Sequence, residues 1–198
     1  MIEFPPVPSW DALHPLVVHF PIALLLVAPL FVLAGASLEL RDSGRGRPWL
    51  VAALVLVALG TAGTFAATAT GEAAGKVAER SDLVDEALLH HESLAETTRS
   101  VFAVLTALLA TILFLPRALR RELPRLAGAG LLLAFTLFYG AGAVLLVNTA
   151  HGGGRLVHEL GIHSPASGAT GAGKAPAGSA TEDDDGARTP AQTERRTR

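Results

Sequence analysis

Apolar residues in this chain gather into four long blocks, roughly 16–36, 49–70, 94–115 and 126–147, with charged segments between them. Each block is about the 20 residues that a helix needs to cross the hydrocarbon of a bilayer. A soluble domain would spread the same residues at amphipathic spacing, so the pattern predicts an all-α, four-helix transmembrane bundle. A hydrophobic content of 50% and a mean hydropathy of +0.42 agree with a chain that crosses a membrane several times. Arg99 stands near one end of the third block, from where its side chain can reach outward to the headgroups.

The short loops set an orientation. Arg41, Arg45 and Arg47 lie between the first two blocks, and Arg117, Arg120, Arg121 and Arg125 lie between the last two. Arginine-rich short loops stay in the cytoplasm. The segment before Pro15 has no lysine or arginine, and the loop from Gly71 to Leu89 sets Lys76 and Arg80 against Glu72, Glu79, Asp82, Asp85 and Glu86. Both termini are therefore expected outside the cytoplasm, in an inner (plasma) membrane protein. Trp10 and Trp49 fall at opposite ends of the first two spans, where amphipathic rings anchor a helix at the interface. No secretory signal is expected, because residues 1–13 lack a basic leader and the first block is long enough to remain as an anchor.

Composition narrows the chemistry. With 0 cysteines there is no disulfide, no thiolate ligand and no covalent c-type haem, so a haem held by this chain alone would be b-type. A formal net charge of -2 gives no footprint for nucleic acid. The stretch 164–198 has no side chain more apolar than Ala or Pro and includes the run Glu182, Asp183, Asp184, Asp185. It cannot bury enough surface to offset its ordering entropy and is expected to be a disordered extracytoplasmic tail, which leaves 1–163 as the membrane domain.

The 7 histidines all fall on the expected outer side, and His14, His19, His90, His91 and His151 sit where helices enter or leave the membrane. Imidazole is the commonest protein ligand for metals and a frequent one for haem iron, so several helices bringing it to one depth mark a candidate site. The segment LHPLVVHFPIAL, Leu13 to Leu24, opens the first span. Pro15 suits a first turn, whereas Pro21 removes the bond to the Val17 carbonyl and should bend the helix just beyond His19. His14 and His19 are about 140° apart around a regular helix, so an undistorted helix aims one of them at a shared ligand and not both.

The third helix should begin before the membrane. Ser81 is a good N-cap, and Asp82, Asp85 and Glu86 suit the positive end of a helix dipole. The resulting helix would run about 34 residues, or about 51 Å, and stand above a bilayer core of about 30 Å. His90 and His91 differ by about 100° in direction, so one faces the bundle and the other faces away, with Glu92 a candidate acceptor for orienting an imidazole. After the fourth span, Gly152, Gly153 and Gly154 are expected to stop the helix, and Arg155 is positioned to meet Glu92 or a haem propionate. His158, Glu159 and His163 form HExxxH, whose spacing does not place both histidines on one helix face and disfavours a zinc peptidase. Gly60, Gly63 and Ala67, with Gly130 and Ala134, read as helix-packing surfaces. Tyr139, near mid-membrane, is expected to bond a neighbouring helix, with a quinone contact as the alternative.

The opening LHPLVVHFPIAL, the pair His90 and His91, and HGGGRLVHELG from His151 to Gly161 resemble the domain of unknown function 2231 family of predicted bacterial four-helix membrane proteins. The resemblance covers residues 13 to about 163. It implies a domain found alone or joined to Rieske iron–sulfur or cytochrome c modules, and hence electron-transfer company. The motif positions correspond to His14, His19, His91 and His151, and His158 stands where the last motif often has tyrosine.

Two classes of function are consistent with these residues. One is a b-type haem-binding or quinone-linked redox subunit, ligated by two of His14, His19, His91 and His151, with propionates toward Arg155 or Arg99. The other is a non-redox protein whose histidines, among them His14, His19, His90, His91 and His151, bind zinc or copper for sensing or transport, or only stabilise the bundle. Partners expected are the lipid bilayer and, for the first class, an electron-transfer protein or quinone. No independent catalytic activity is indicated.

Overall fold

A computed structural model describes residues 8–42, 44–78, 81–121 and 123–162. Within them a 3-10 turn, Asp11–Leu13, leads into α1 (His14–Val17), α2 (His19–Arg41), α3 (Arg47–Val77), α4 (Asp82–Ala118) and α5 (Arg125–His158). No strand occurs among the described residues. Four stretches are long and apolar enough to cross a membrane: Asp11–Arg41, Arg47–Val77, Asp82–Ala118 and Arg125–His158. His163 and the expected tail, 164–198, lie outside the described residues.

Each long helix packs on its neighbours in the chain, and α5 closes the ring against α2, with no close backbone approach across either diagonal among the described residues. The result is an all-α antiparallel bundle with two hairpins side by side. Leu25, Val32, Val57, Phe102, Leu109 and Tyr139 fill its centre at 1% exposure or less. Leu30, Val55, Leu59, Val104, Leu137 and Phe138 are exposed on its outside, the arrangement of a bundle solvated by lipid.

Small residues set how closely the helices approach. A Cβ on Gly60 would stand 2.6 Å from Leu25 Cγ, and one on Gly63 would stand 3.1 Å from Pro21 Cβ, so α3 presents bare backbone to α2. On α5 the expected packing surface is displaced: Gly130 has open space around it and Ala134 is exposed, while a Cβ on Gly142 would stand 3.0 Å from Leu105 Cδ1. At the hairpin between α2 and α3, the Glu39 carboxylate accepts from the backbone amides of Gly44 at 2.9 Å and Gly46 at 3.1 Å. Gly46 is the N-cap of α3, where donors have no intrahelical partner, and Gly44 lies in the turn before it. Ser81 caps α4 as expected, its hydroxyl accepting from the Val84 amide at 3.4 Å.

Prolines leave a legible trace in the first span. The interruption falls at Val18, immediately before His19 rather than beyond it, and the Ile22 amide reaches the Val18 carbonyl at 3.4 Å. Pro29 lies inside α2 and cannot donate to the carbonyl four residues back, which is that of Leu25. Tyr139 supplies the missing donor across the bundle, its hydroxyl meeting Leu25 O at 2.7 Å. The expected helix-to-helix bond of Tyr139 is thus a repair of a proline defect. Farther along, Thr61 bonds Thr106 at 2.8 Å and Thr98 bonds Thr149 at 2.7 Å, linking α4 to both of its neighbours.

Candidate functional site

Toward the end of the bundle that carries the histidines, the four helices leave a cavity of about 1090 Å³. Its walls are thin because the sequence places small residues there: Ala67, Gly71 and Gly75 on α3, Ala95 on α4, Ala150 and Gly153 on α5. Exposed lining residues, among them His19 and His158, mark where it opens.

His14 enters this cavity from α1. Its ring is half-buried against α3, with Nδ1 3.0 Å from the Ala67 carbonyl and 3.2 Å from Thr70 Oγ1. The Thr70 hydroxyl donates to the Ala66 and Ala67 carbonyls, at 2.9 and 3.0 Å, so toward His14 it can only accept. Both neighbours of Nδ1 are acceptors, which assigns the proton to Nδ1 and leaves the Nε2 lone pair uncommitted. A backbone carbonyl on one imidazole nitrogen is the usual way a protein orients the other toward a metal or haem. The ring rests on Gly71, where a Cβ would stand 3.0 Å from Cε1.

His91 enters from α4 and rests on α5. A Cβ on Gly153 would stand 3.1 Å from its Cε1, and one on Gly152 would stand 3.4 Å from its Nδ1. That Nδ1 is buried and has no hydrogen-bond partner, the only such side-chain atom among the described residues.

The other candidates point elsewhere. His19 is exposed at the cavity edge, its Nδ1 2.6 Å from the carbonyl of Pro15 in the preceding turn. His90 and His151 are exposed and do not line the cavity. The three glycines after His151 do not stop the helix: α5 runs through them to His158 and closes on a bond from the Glu159 amide to the Arg155 carbonyl. Glycine costs a helix about 1 kcal/mol against alanine, but here packing compensates, with the His91 ring on Gly153 and Leu156 buried one turn on. The continued helix carries Arg155 to the outside, where Nε donates to Glu159 Oε2 at 2.9 Å instead of meeting Glu92. Arg99 lies over the Phe65 ring at 5.1 Å and bonds Thr68 at 3.4 Å. Glu92 lines the cavity, its Oε1 3.2 Å from where a Gly75 Cβ would be, and makes no bond to His91 Nδ1. Among the described residues no three His, Asp or Glu side chains converge as a group that could hold a metal ion.

Sequence reasoning named both inward histidines among its candidates without choosing them, read Gly153 as part of a helix stop, and missed Thr70 and Gly71, which meet the His14 ring. The readable signal was register. On α4 the inward positions Leu88, His91, Ala95, Thr98, Phe102 and Leu105 follow an alternating three-and-four spacing, and this seam excludes His90.

Residues 10–166 match the family described as predicted membrane protein (DUF2231). The chain belongs to that family. No curated protein and no solved structure matches it. The DUF2231 match takes in all four spans and both cavity histidines, so the cavity is part of the family domain and not of an appended segment.

Proposed function

We propose that this DUF2231 protein is a redox-linked membrane subunit whose histidine-end cavity would hold a b-type haem through His14 and His91. The observation that carries the reading is that two imidazoles, from separate helices, line one cavity while each ring is seated on a glycine of a third or fourth helix. His14 keeps Nε2 free by committing Nδ1 to the protein, and the His91 ring lines the same cavity with its Nδ1 buried toward α5. About 1090 Å³ is slightly larger than the usual range of ligand sites, about 300–1,000 Å³. With 0 cysteines the attachment is non-covalent. A haem here would supply one-electron transfer. The chain's own residues would bind it and orient its ligands.

The arginine-rich loops at the opposite end support an inner-membrane orientation with the histidine end and both termini outside the cytoplasm. In that orientation the partner is an electron-transfer protein on the outer side or a quinone in the bilayer. The decisive measurement is the optical spectrum of protein purified in mild detergent from haem-replete cells. A Soret band and an α band sharpened by dithionite are expected, both lost in His14→Ala and His91→Ala. Absence of a Soret band, both as purified and after haem addition, overturns the reading.

A further inference from the structure

The end of the bundle opposite the cavity carries positive charge that the protein does not neutralise. The stretches 37–50 and 115–126 hold seven arginines against three acidic residues, Glu39, Asp42 and Glu122. Two of those acids are committed within the hairpin between α2 and α3, Glu39 to the amides of Gly44 and Gly46 and Asp42 to Arg45 at 3.9 Å. Arg41, Arg47, Arg120 and Arg121 are exposed and make no ion pair among the described residues. Three of these four gather where α3 meets α4. Thr61 bonds Thr106 at 2.8 Å, and fourteen residues farther toward this end stand Arg47 on α3 and Arg120 just past α4. In an antiparallel pair those positions share a depth to within about one helical turn. Arg120 has a φ of 51°, the left-handed conformation in which glycine usually ends a helix, and the Arg121 amide closes the turn on the Pro116 carbonyl at 2.8 Å. An arginine thus stands where glycine would strain the backbone less, the kind of outlier that marks a working side chain. Arg117 folds back along α4, its Nη1 donating to the Leu113 carbonyl at 2.6 Å, so its guanidinium lies toward the apolar span. Phe114, Leu115 and Leu119 are about half exposed on the same stretch, and Phe114 shares the face of Arg117.

We infer that this corner between α3 and α4 is a binding site for an anionic glycerophospholipid of the surrounding bilayer. Arg47, Arg120 and Arg121 receive the headgroup phosphate, and Phe114, Leu115 and Leu119 lie against an acyl chain. Charge complementarity selects the occupant. Guanidinium forks match phosphate oxygens, and an anionic headgroup brings no cation of its own, whereas the ammonium of a zwitterionic headgroup meets the arginines with like charge. The site lies at the other end of the bundle from the histidines and stands whether or not the cavity holds a haem.

The test uses full-length protein in phosphatidylcholine vesicles, with Phe114→Trp as the sole tryptophan once Trp10 and Trp49 are replaced by phenylalanine. Quenching by phosphatidylglycerol brominated on its acyl chains is compared with quenching by equally brominated phosphatidylcholine, a ratio that cancels differences in insertion. At low salt the expected association constant favours the anionic lipid by about threefold or more. That preference should vanish in Arg120→Gln/Arg121→Gln and persist in Arg45→Gln, whose charge is already paired with Asp42. Equal quenching by the two lipids overturns the inference. So does an Arg45→Gln protein that loses the preference as fully as the double variant, because net charge alone would then account for it. A preference abolished by inorganic phosphate at matched ionic strength also overturns it, since the ligand would then be a soluble anion.

Discussion

Replacing Tyr139 by phenylalanine removes one oxygen atom from the centre of the bundle, and the structure says what that atom does. The residue is 1% exposed, its ring lies edge-on to Phe102 at 5.4 Å and tilted to Phe135 at 5.7 Å, and its hydroxyl donates to Leu25 O at 2.7 Å. Phenylalanine keeps every ring contact and opens no cavity larger than a hydroxyl. The cost is therefore that of a carbonyl left without its donor, about 1–3 kcal/mol in general and about 1–2 kcal/mol for bonds between membrane helices. Pro29 makes the case separable from an ordinary lost contact, because it removes the amide that would otherwise serve Leu25. In a Pro29→Ala background that amide returns, and Tyr139→Phe should then cost about 0.5 kcal/mol or less. The coupling, about 1 kcal/mol, is read from a double-mutant cycle of four proteins unfolded by SDS in mixed micelles. Helix content is followed by circular dichroism and packing by the fluorescence of Trp49, which lies 5.5 Å from Phe31. Equal costs of Tyr139→Phe in the two backgrounds, within about 0.3 kcal/mol, would refute the proline-repair account.

Two further outcomes are expected. Gly60→Ala should destabilise by about 1–3 kcal/mol, since its Cβ overlaps Leu25, whereas Gly130→Ala, facing open space, should be neutral or stabilising; the same SDS titration compares them. Gly153→Ala displaces the His91 ring and should lower haem occupancy in the Soret band severalfold, while Gly154→Ala, with nothing near its Cβ, should leave the band intact. Equal effects of the two would detach His91 from the site.

The four spans and the cap at Ser81 were readable because hydropathy and helix-start chemistry are local properties. What hydropathy could not supply was extent. The last turns of α3, from Gly71 to Val77, and the whole of His151–His158 are helical without being apolar, held by packing at the histidine end. The triple glycine misled for the same reason: intrinsic propensity argued for a stop, and tertiary contact with the His91 ring and Leu156 prevailed. Arg155 followed the helix, so an error about backbone became an error about charge.

The choice among the histidines has a different origin. Inward positions on α5 run Tyr139, Gly142, Leu146, Thr149, Gly153 and Leu156, and those on α2 run Pro21, Leu25, Ala28, Val32 and Gly35, all at alternating spacings of three and four. Extended back from Pro21, the α2 seam passes through Val18 and His14 and misses His19. On α5 it passes between Thr149 and Gly153 and misses His151. Such a repeat is what left-handed packing of four helices demands, and it continues past the apolar blocks into segments where hydropathy is silent. Counting histidines on one side of a membrane gave five equal candidates. Carrying the seam outward from the core leaves His14 and His91, and the glycines that seat them, Gly71 and Gly153, lie at cavity-lining positions on the facing helices. The cavity is therefore a feature of the coiled-coil register at the point where large seam residues give way to small ones, and its two imidazoles are the only seam histidines among the described residues.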